Sequence, residues 1–348
     1  MGITIRDVAK LAGVSVSTVS LVLRNKACRV SPETRRRILE AADQLNYVPN
    51  QIAVSLVTGK THTIGLIYAD MFNPLYAAQT VALERAAQAQ GYHLLICNCD
   101  NSVERCIQNI VLLESRGIDG FVLQPPATIN ANPEQLEQLQ CQLRNCRTPY
   151  IILDYAIHDV FHDFIAADHR IGGNLAADLL TGLGHKRIGC ITGNFSDYGS
   201  RHRLEGFRKG LEKHGIPFDE SLIYYGNYQI ESGYHGALEL FKKDITAIFA
   251  FSDRIALGVQ NAASECGISI PRDMSLIGYD DSVYANICPV PITTVHQPVE
   301  ILGRRSFEIL MERILYPDHA HKDYLYPPAL IQRASCSVPR NAGISQQP

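Results

Sequence analysis

From residue 62 onward, short apolar runs alternate with amphipathic helical stretches. This alternation restricts the possible fold more than any other feature. The runs are TIGLIYA (63–69), HLLICN (93–98), GFVLQ (120–124), YIILD (150–154), RIGCIT (187–192), AIFAF (247–251) and SLIGYD (275–280). Helical periodicity marks the stretches 75–90, 103–116, 200–214 and 254–266 between them. Strands that alternate with helices build parallel sheets covered by helices, an α/β architecture. Ligands of such sheets lie beyond the carboxyl ends of the strands. The stretches at those ends are DMFNPLY, QPP with Gln124, and Asp154–Tyr155. Further along come SRHRLEGF, SDR with Ser252, and Asp280–Asp281.

The first 48 residues follow a different period. Thr4 caps a helix starting at Ile5, and Asp7 completes a capping box. Val8, Leu11 and Ala12 form its inner face, with Ala9 small where a second helix touches. Gly13 suits the left-handed residue that ends a helix. Ser15 caps the next helix, whose inner face is Val19, Val22 and Leu23. This spacing is a helix-turn-helix. A third helix starts with Ser31 as cap and Pro32 in its first position, with Ile38, Leu39, Ala42 and Leu45 as its stripe. Three short helices around one small core predict a DNA-binding headpiece. If the second helix enters a major groove, Val16, Ser17 and Thr18 face base edges, with Ser20 and Leu21 one turn on. Thr4, Ser15 and Asn25 suit phosphates. Arg35, Arg36 and Arg37 read equally well as a solvated helix face.

Charge agrees with this division. Residues 1–60 hold nine Lys/Arg against four Asp/Glu, and the remainder 23 against 31. A basic module on an acidic body predicts a polyanion partner for the module alone. A length of 348 residues allows two or three domains. No apolar run is long enough to span a membrane and no signal core opens the chain, so a cytoplasmic protein with no membrane partner is expected. The ten cysteines are scattered without a C-x-x-C pair, which predicts reduced thiols and no metal site. No Gly-rich phosphate loop, G-x-S-x-G elbow or H-E-x-x-H stretch occurs, and His185 reads as a loop residue before a strand. The expectation is a non-enzyme without cofactor.

TIRDVAKLAGVSVSTVSLVLRN, LNYVPNQIAVSL and LIQRASC near residue 336 resemble the lac repressor (LacI/GalR) family of bacterial transcription regulators, across almost the whole chain. The resemblance implies a helix-turn-helix headpiece (1–48), a hinge helix and linker (49–61), an effector-binding and dimerisation domain (62–338) and a tail (339–348). The body would resemble periplasmic binding proteins: two doubly wound parallel-sheet subdomains, one about 62–165 and 298–325, the other about 168–290 and 328–338. Crossings between them would fall near 163–168, 289–298 and 325–328.

Pro49 stops the third helix and Asn50 can cap a new one, but residues 50–57 are too few for a stable isolated helix. In the family, such hinge helices pair in the minor groove, where a leucine matching Leu56 wedges between base pairs. Tyr47, Asn50 and Ala53 complete the implied DNA-binding set. Two departures stand out: Val54 where a basic residue is common, and Leu21 where an arginine usually reads guanine.

In the cleft, family positions map onto Asn73, Tyr76, Asp154, Arg203, Tyr228, Ser252 and Asp280, and Gln124 joins this effector-binding set from the end of the third strand. Carboxylates, an arginine and an aromatic face suit a polyhydroxylated ligand. Tyr76 can instead belong to the core and Arg203 to a structural ion pair, while Asp253 reads as a helix cap and Asp281 as solvent-facing. The implied protein is a homodimeric, sugar-responsive repressor on a pseudo-palindromic operator. A purine or nucleoside effector, a corepressor or activating mode, and a sugar-binding protein without regulatory role are the alternatives. The tail lacks a leucine heptad, so no tetramerisation helix is expected.

Overall fold

The computed structural model describes residues 3–23, 28–48, 55, 59–127, 129–155, 157, 159–160 and 162–340. Asn25, Asn50, Ala53, Val54 and Leu56 lie outside these described residues. The chain forms two compact units, Met1–Thr61 and His62–Pro348.

In the first unit, α1 (Ile5–Ala12), α2 (Val16–Leu23) and α3 (Pro32–Gln44) enclose a core of Val8, Ala9, Ala12, Val19, Val22, Ile38, Ala41 and Ala42. The caps are local. Asp7 accepts the Thr4 backbone N–H at 2.8 Å, Thr34 N–H donates to Ser31 Oγ at 3.1 Å, and Gly13 closes α1 at φ 65°. Two expected core residues face outward: Leu11 is 48% and Leu39 49% exposed. Helical residues advance about 100° each. The buried faces centre on Val8–Ala9–Ala12 and Ile38–Ala41–Ala42, and Leu11 and Leu39 fall beyond their edges.

The second unit contains two six-stranded sheets. The first is ordered β11 (Asp323–Tyr326), β5 (Asp163–Ala167), β4 (Tyr150–Leu153), β3 (Gly120–Leu123), β1 (Thr63–Tyr68), β2 (His93–Asn98). The second is ordered β12 (Ala329–Ile331), β10 (Thr293–His296), β9 (Ser275–Asp280), β8 (Ala247–Ala250), β6 (Ile188–Ile191), β7 (Ile223–Tyr224). All pairs are parallel except β10 with β12, an antiparallel edge where Thr294 faces Ile331. The central strands are buried on both faces, as parallel strands under helices must be.

The intervening helices are α4 (Pro74–Ala89), α5 (Val103–Ser115), α6 (Pro133–Asn145), α7 (His169–Gly182), α8 (Tyr198–Lys213), α9 (Ile230–Leu240), α10 (Asp253–Glu265), α11 (Val283–Ile287) and α12 (Val299–Leu315). α12 packs on α4 against the first sheet, and α7 on α8 against the second. The stretch 163–168, expected as a crossing, is mostly strand: β5 pairs with β4 and β11, and the chain leaves the first sheet after it. It returns between β10 and α12, and crosses again between β11 and β12. α7 and α8 touch backbone to backbone, since a Cβ at Gly206 would stand 2.0 Å from the Arg170 carbonyl oxygen. Among the described residues, no helix is long and apolar enough to cross a membrane.

Candidate functional site

Two surfaces concern function, one on each unit. On the headpiece, Ser15 caps α2: its Oγ accepts the Thr18 N–H at 3.2 Å and lies 2.8 Å from both Ser17 Oγ and Thr18 Oγ1. This arrangement leaves Val16, Ser17 and Leu21 exposed, and Thr18 and Ser20 half-buried. Apolar Val16 and Leu21 thus stand exposed on the same helix as the Ser17 hydroxyl. Thr4 gives both its N–H and its hydroxyl to Asp7, at 2.8 and 2.7 Å. Those bonds, the backbone one foremost, hold the Asp7 carboxyl below its usual range. Tyr47 is half-buried against the headpiece core.

On the body, the carboxyl ends of both sheets meet in a cavity of about 260 Å³. Asn73, Tyr76, Gln124, Asp154, Arg203, Tyr228 and Asp280 all line it. Caps, ring stacking and backbone conformation aim several of them. Asn73 caps α4, accepting the Leu75 N–H at 3.1 Å. The Tyr76 ring stacks on Tyr68 with centroids 5.1 Å apart. The Tyr228 ring occupies the space that a side chain at Gly193 would need. Asp154, Tyr228 and Asp280 sit at φ 57°, 65° and 102°. Such conformations cost non-glycine residues about 1–3 kcal/mol each and cluster where side chains must be aimed.

The eighth expected residue, Ser252, does not line the cavity. It is buried and caps α10 through the Ile255 N–H at 3.2 Å. Asp253, expected as that cap, is instead the first helical residue; its carboxylate accepts the Thr294 hydroxyl at 2.7 Å and the Ser282 N–H at 2.6 Å. Burial, with Asp280 adding repulsion, pushes its carboxyl up to about 8. Asp281 does not face solvent: it pairs with Arg333 at 2.6 Å and His296 at 3.0 Å, which lowers its pKa, the His296 bond foremost.

One polar network joins the two halves. Asp154, from the first sheet, accepts His169 Nε2 at 2.9 Å. His169 Nδ1 then faces the Tyr279 hydroxyl at 3.0 Å and Arg203 Nε at 3.4 Å. These partners assign the ring proton to Nε2. The Arg203 guanidinium lies 3.7 Å from the Tyr279 ring centroid, donates to the Phe251 carbonyl, and meets Asp280 at 3.7 Å. Burial works against its charge, but the neighbouring phenols and carboxylates outweigh it and raise its pKa. Burial raises Asp280 to about 6 despite Arg203.

The sequence reading marked the strand-end stretches that hold Asp70, Tyr155 and Arg254 without singling these residues out, and missed Asp197 altogether; all four line the cavity. Asp197 caps α8 and accepts the Tyr228 hydroxyl at 2.7 Å. An aspartate before a helical run was the available signal, hidden because that helix was read from residue 200. Arg254 reaches across the cleft to Asp70 at 3.4 Å; nothing local announces that pair. His185 lies away from the cavity, buried, with its ring nitrogens on Thr246 at 2.8 Å and the Ser337 carbonyl at 2.9 Å. Among the described residues, no group of three or more His, Cys, Asp or Glu could hold a metal ion.

Comparison with known proteins adds independent evidence. Residues 4–50 match the bacterial regulatory proteins of the lacI family, and residues 177–336 a periplasmic binding protein-like domain. The chain is 33% identical over 334 residues to the ribose operon repressor of Escherichia coli (strain K12), covering 95% of this chain and 99% of that protein. It is 38% identical over 313 residues to the HTH-type transcriptional repressor PurR of Actinobacillus pleuropneumoniae serotype 3 (strain JL03), covering 89% and 91%. The lac repressor dimer bound to operator and the anti-inducer ONPF superposes with a TM-score of 0.84 at 26% identity, over 97% of this chain and 100% of that one. A LacI family regulator from Enterococcus faecium with bound ribose matches with a TM-score of 0.70 at 29% identity, over 79% and 99%. With a basic helix-turn-helix unit, a two-sheet body with a polar cleft, and full-length relatives of one kind, the chain belongs to the lacI family of bacterial regulatory proteins.

Proposed function

We propose that the protein is a homodimeric repressor of carbohydrate-utilisation genes, whose operator affinity is set by a small sugar-like effector in the cleft. The observation that carries this reading is the pairing, on one chain, of an exposed recognition helix with a cavity lined by carboxylates, amides, tyrosines and an arginine from both sheets. α2 presents Val16, Ser17, Thr18, Ser20 and Leu21 to the major groove, while Thr4, Ser15, Asn25 and Tyr47 position the headpiece on the backbone. Asn50, Ala53 and Leu56 belong to a hinge that folds against the minor groove, with Leu56 as wedge. Exposed Val81, Leu95 and Ile96 on α4 and the β2 edge support pairing with a second copy. In this reading the protein works in the cytoplasm and catalyses nothing.

The effector acts through the network that crosses the cleft. A ligand touching Asp154 and Arg203 together contacts both subdomains, and so favours one of their relative positions. Coupling is reciprocal: whatever the effector does to operator affinity, operator does to effector affinity. A second reading, with a purine or nucleoside effector, draws on the PurR relatives and on the Tyr228 ring, which offers a flat face to a base.

A gel shift on the DNA upstream of the gene, with and without sugars and nucleobases, tests the proposal. Release of a shifted band by a sugar is the expected result. A band that forms only with a compound makes that compound a corepressor. Binding that ignores salt concentration sinks the operator reading, because phosphate contacts impose a steep salt dependence.

A further inference from the structure

We propose that the cleft takes an uncharged, hydroxyl-rich ligand of monosaccharide size and rejects sugar phosphates, sugar acids and nucleobases, with Gln124 and Tyr155 as residues that read it. The inference rests on the effector reading above and sharpens it.

Gln124 and Tyr155 both line the cavity and are 4% and 2% exposed. Gln124 Oε1 and the Tyr155 hydroxyl oxygen are shielded from water; among the described residues Oε1 meets no donor, and the hydroxyl, approached by the Asn130 backbone N–H, has no acceptor for its own proton. An unpaired buried polar atom costs about 1–3 kcal/mol. Two such atoms on one cavity wall mark bonds that a ligand completes. Gln124 Oε1 can only accept, so its partner must donate.

The rest of the wall points the same way. Asp154, Asp197 and Asp280 accept from His169, Tyr228 and Gln297 through one carboxylate oxygen each, and among the described residues the other oxygen is left to accept from a ligand. Sugar hydroxyls both donate and accept, so they suit a wall rich in acceptors. A phosphate or carboxylate brings further acceptors and a negative charge. With Asp70, the wall holds four acids against two arginines. Both arginines are already engaged: Arg254 with Asp70 and Gln229, Arg203 with Asp280 and the Phe251 carbonyl. A nucleobase carries its N–H donors and its acceptors in one plane, so it reaches fewer of these scattered carboxylates than a sugar whose hydroxyls project all around the ring. The volume of about 260 Å³ falls below the range of roughly 300–1,000 Å³ for drug-sized ligands, and fits one sugar ring.

Calorimetry on the full chain would use D-ribose, D-xylose, D-glucose, D-ribose 5-phosphate, D-glucose 6-phosphate, D-gluconate, hypoxanthine and guanine. The inference expects a neutral sugar to bind, and a phosphorylated form at least about 100-fold more weakly. Tyr155→Phe should weaken that sugar by about tenfold, yet change the ligand-free thermal midpoint little, since the hydroxyl proton has no acceptor among the described residues. Gln124→Met should also weaken the sugar, while its midpoint falls with the loss of the Gln124 amide bond to the Tyr76 hydroxyl. Tighter binding of a phosphate, acid or base, no binding of any neutral sugar at millimolar concentration, or wild-type sugar affinity in Tyr155→Phe would each overturn the inference. A parallel gel shift separates the two readings. Operator released by a phosphate or base overturns this inference but leaves the regulator reading intact. A sugar that binds without altering operator affinity refutes the effector reading.

Discussion

The headpiece and the cleft organise polar side chains in opposite ways. On α2, Ser15 bonds to Ser17 and Thr18, two and three residues away. In the cleft, His169 bonds to Asp154, 15 residues back, and to Tyr279, 110 residues ahead. Arg254 reaches Asp70 across 184 positions. The headpiece is a local object: caps, a left-handed glycine and a core of small residues set its shape within a few turns. The cleft is assembled by topology, because parallel strands bring distant loops to one edge. A recognition surface built locally can change residue by residue without disturbing its scaffold. A site built from several loops moves as a whole when any of them moves, which is what an allosteric sensor needs.

This contrast can be tested. The largest effect is expected from Arg203→Ala. It strands the Asp280 carboxylate and the Phe251 carbonyl, and breaking a buried pair costs about 3–5 kcal/mol. Calorimetric melting of the full chain should show the body transition fall while the headpiece transition holds. A body transition at its wild-type temperature would mean that the network does not hold the halves together.

Next comes Gly206→Ala. The new Cβ would meet the Arg170 carbonyl at 2.0 Å and push α8, with Arg203, away from α7. Overpacking of this kind costs about 1–3 kcal/mol. Effector affinity should fall with stability. Loss of stability with affinity intact would show that α8 does not aim Arg203.

Ser15→Ala is the local counterpart. Loss of an N-cap costs about 1 kcal/mol. The headpiece transition and operator affinity should drop, and effector affinity should stay put. Any shift in effector affinity would blur the distinction between local and assembled surfaces.

The smallest effect is a slope with pH. Burial raises Asp253 to about 8 and Asp280 to about 6, above their unfolded values. A raised carboxyl pKa contributes stability that is complete below the unfolded pKa and is lost as pH climbs through the folded one. The body should therefore melt higher near pH 5 than near pH 8.5, and Asp253→Asn should flatten that slope. A midpoint that rises across this window would show that other groups dominate.

Several features were legible because they are short-range. Thr4–Asp7, Gly13, Ser15 and Ser31–Pro32 mark helix ends within four residues of one another, and each stands where its pattern indicated. The βα alternation was equally plain in the strands buried on both faces. Reading failed where a residue's place depends on a distant partner. β5 looks like a linker because it is short and begins with Asp163; its pairing with β4 and β11 makes it a strand. Leu11 and Leu39 fit an apolar period but miss the buried arc. Ser252 and Asp253 exchange roles because the cap position depends on where the helix begins, and Asp253 is drawn inward by Thr294, 41 residues away. Asn73, Tyr76, Gln124, Asp154, Arg203, Tyr228 and Asp280 share one cavity, yet most were singled out by family resemblance, since periodicity says nothing about which loops meet.

What the sequence determined by itself is the division of labour: a basic three-helix module, and an acidic α/β body of mainly parallel sheets. These follow from periodicity, capping and charge, which act over a few residues and survive in one dimension. What the tertiary structure decided is the interior of the cleft. It engaged both arginines, spent half of several carboxylates, left Gln124 Oε1 without a donor and the Tyr155 hydroxyl proton without an acceptor among the described residues, and buried Asp253 beside Asp280. Those outcomes depend on distance and desolvation between groups far apart in the chain, and such quantities exist only once the strands have lined up.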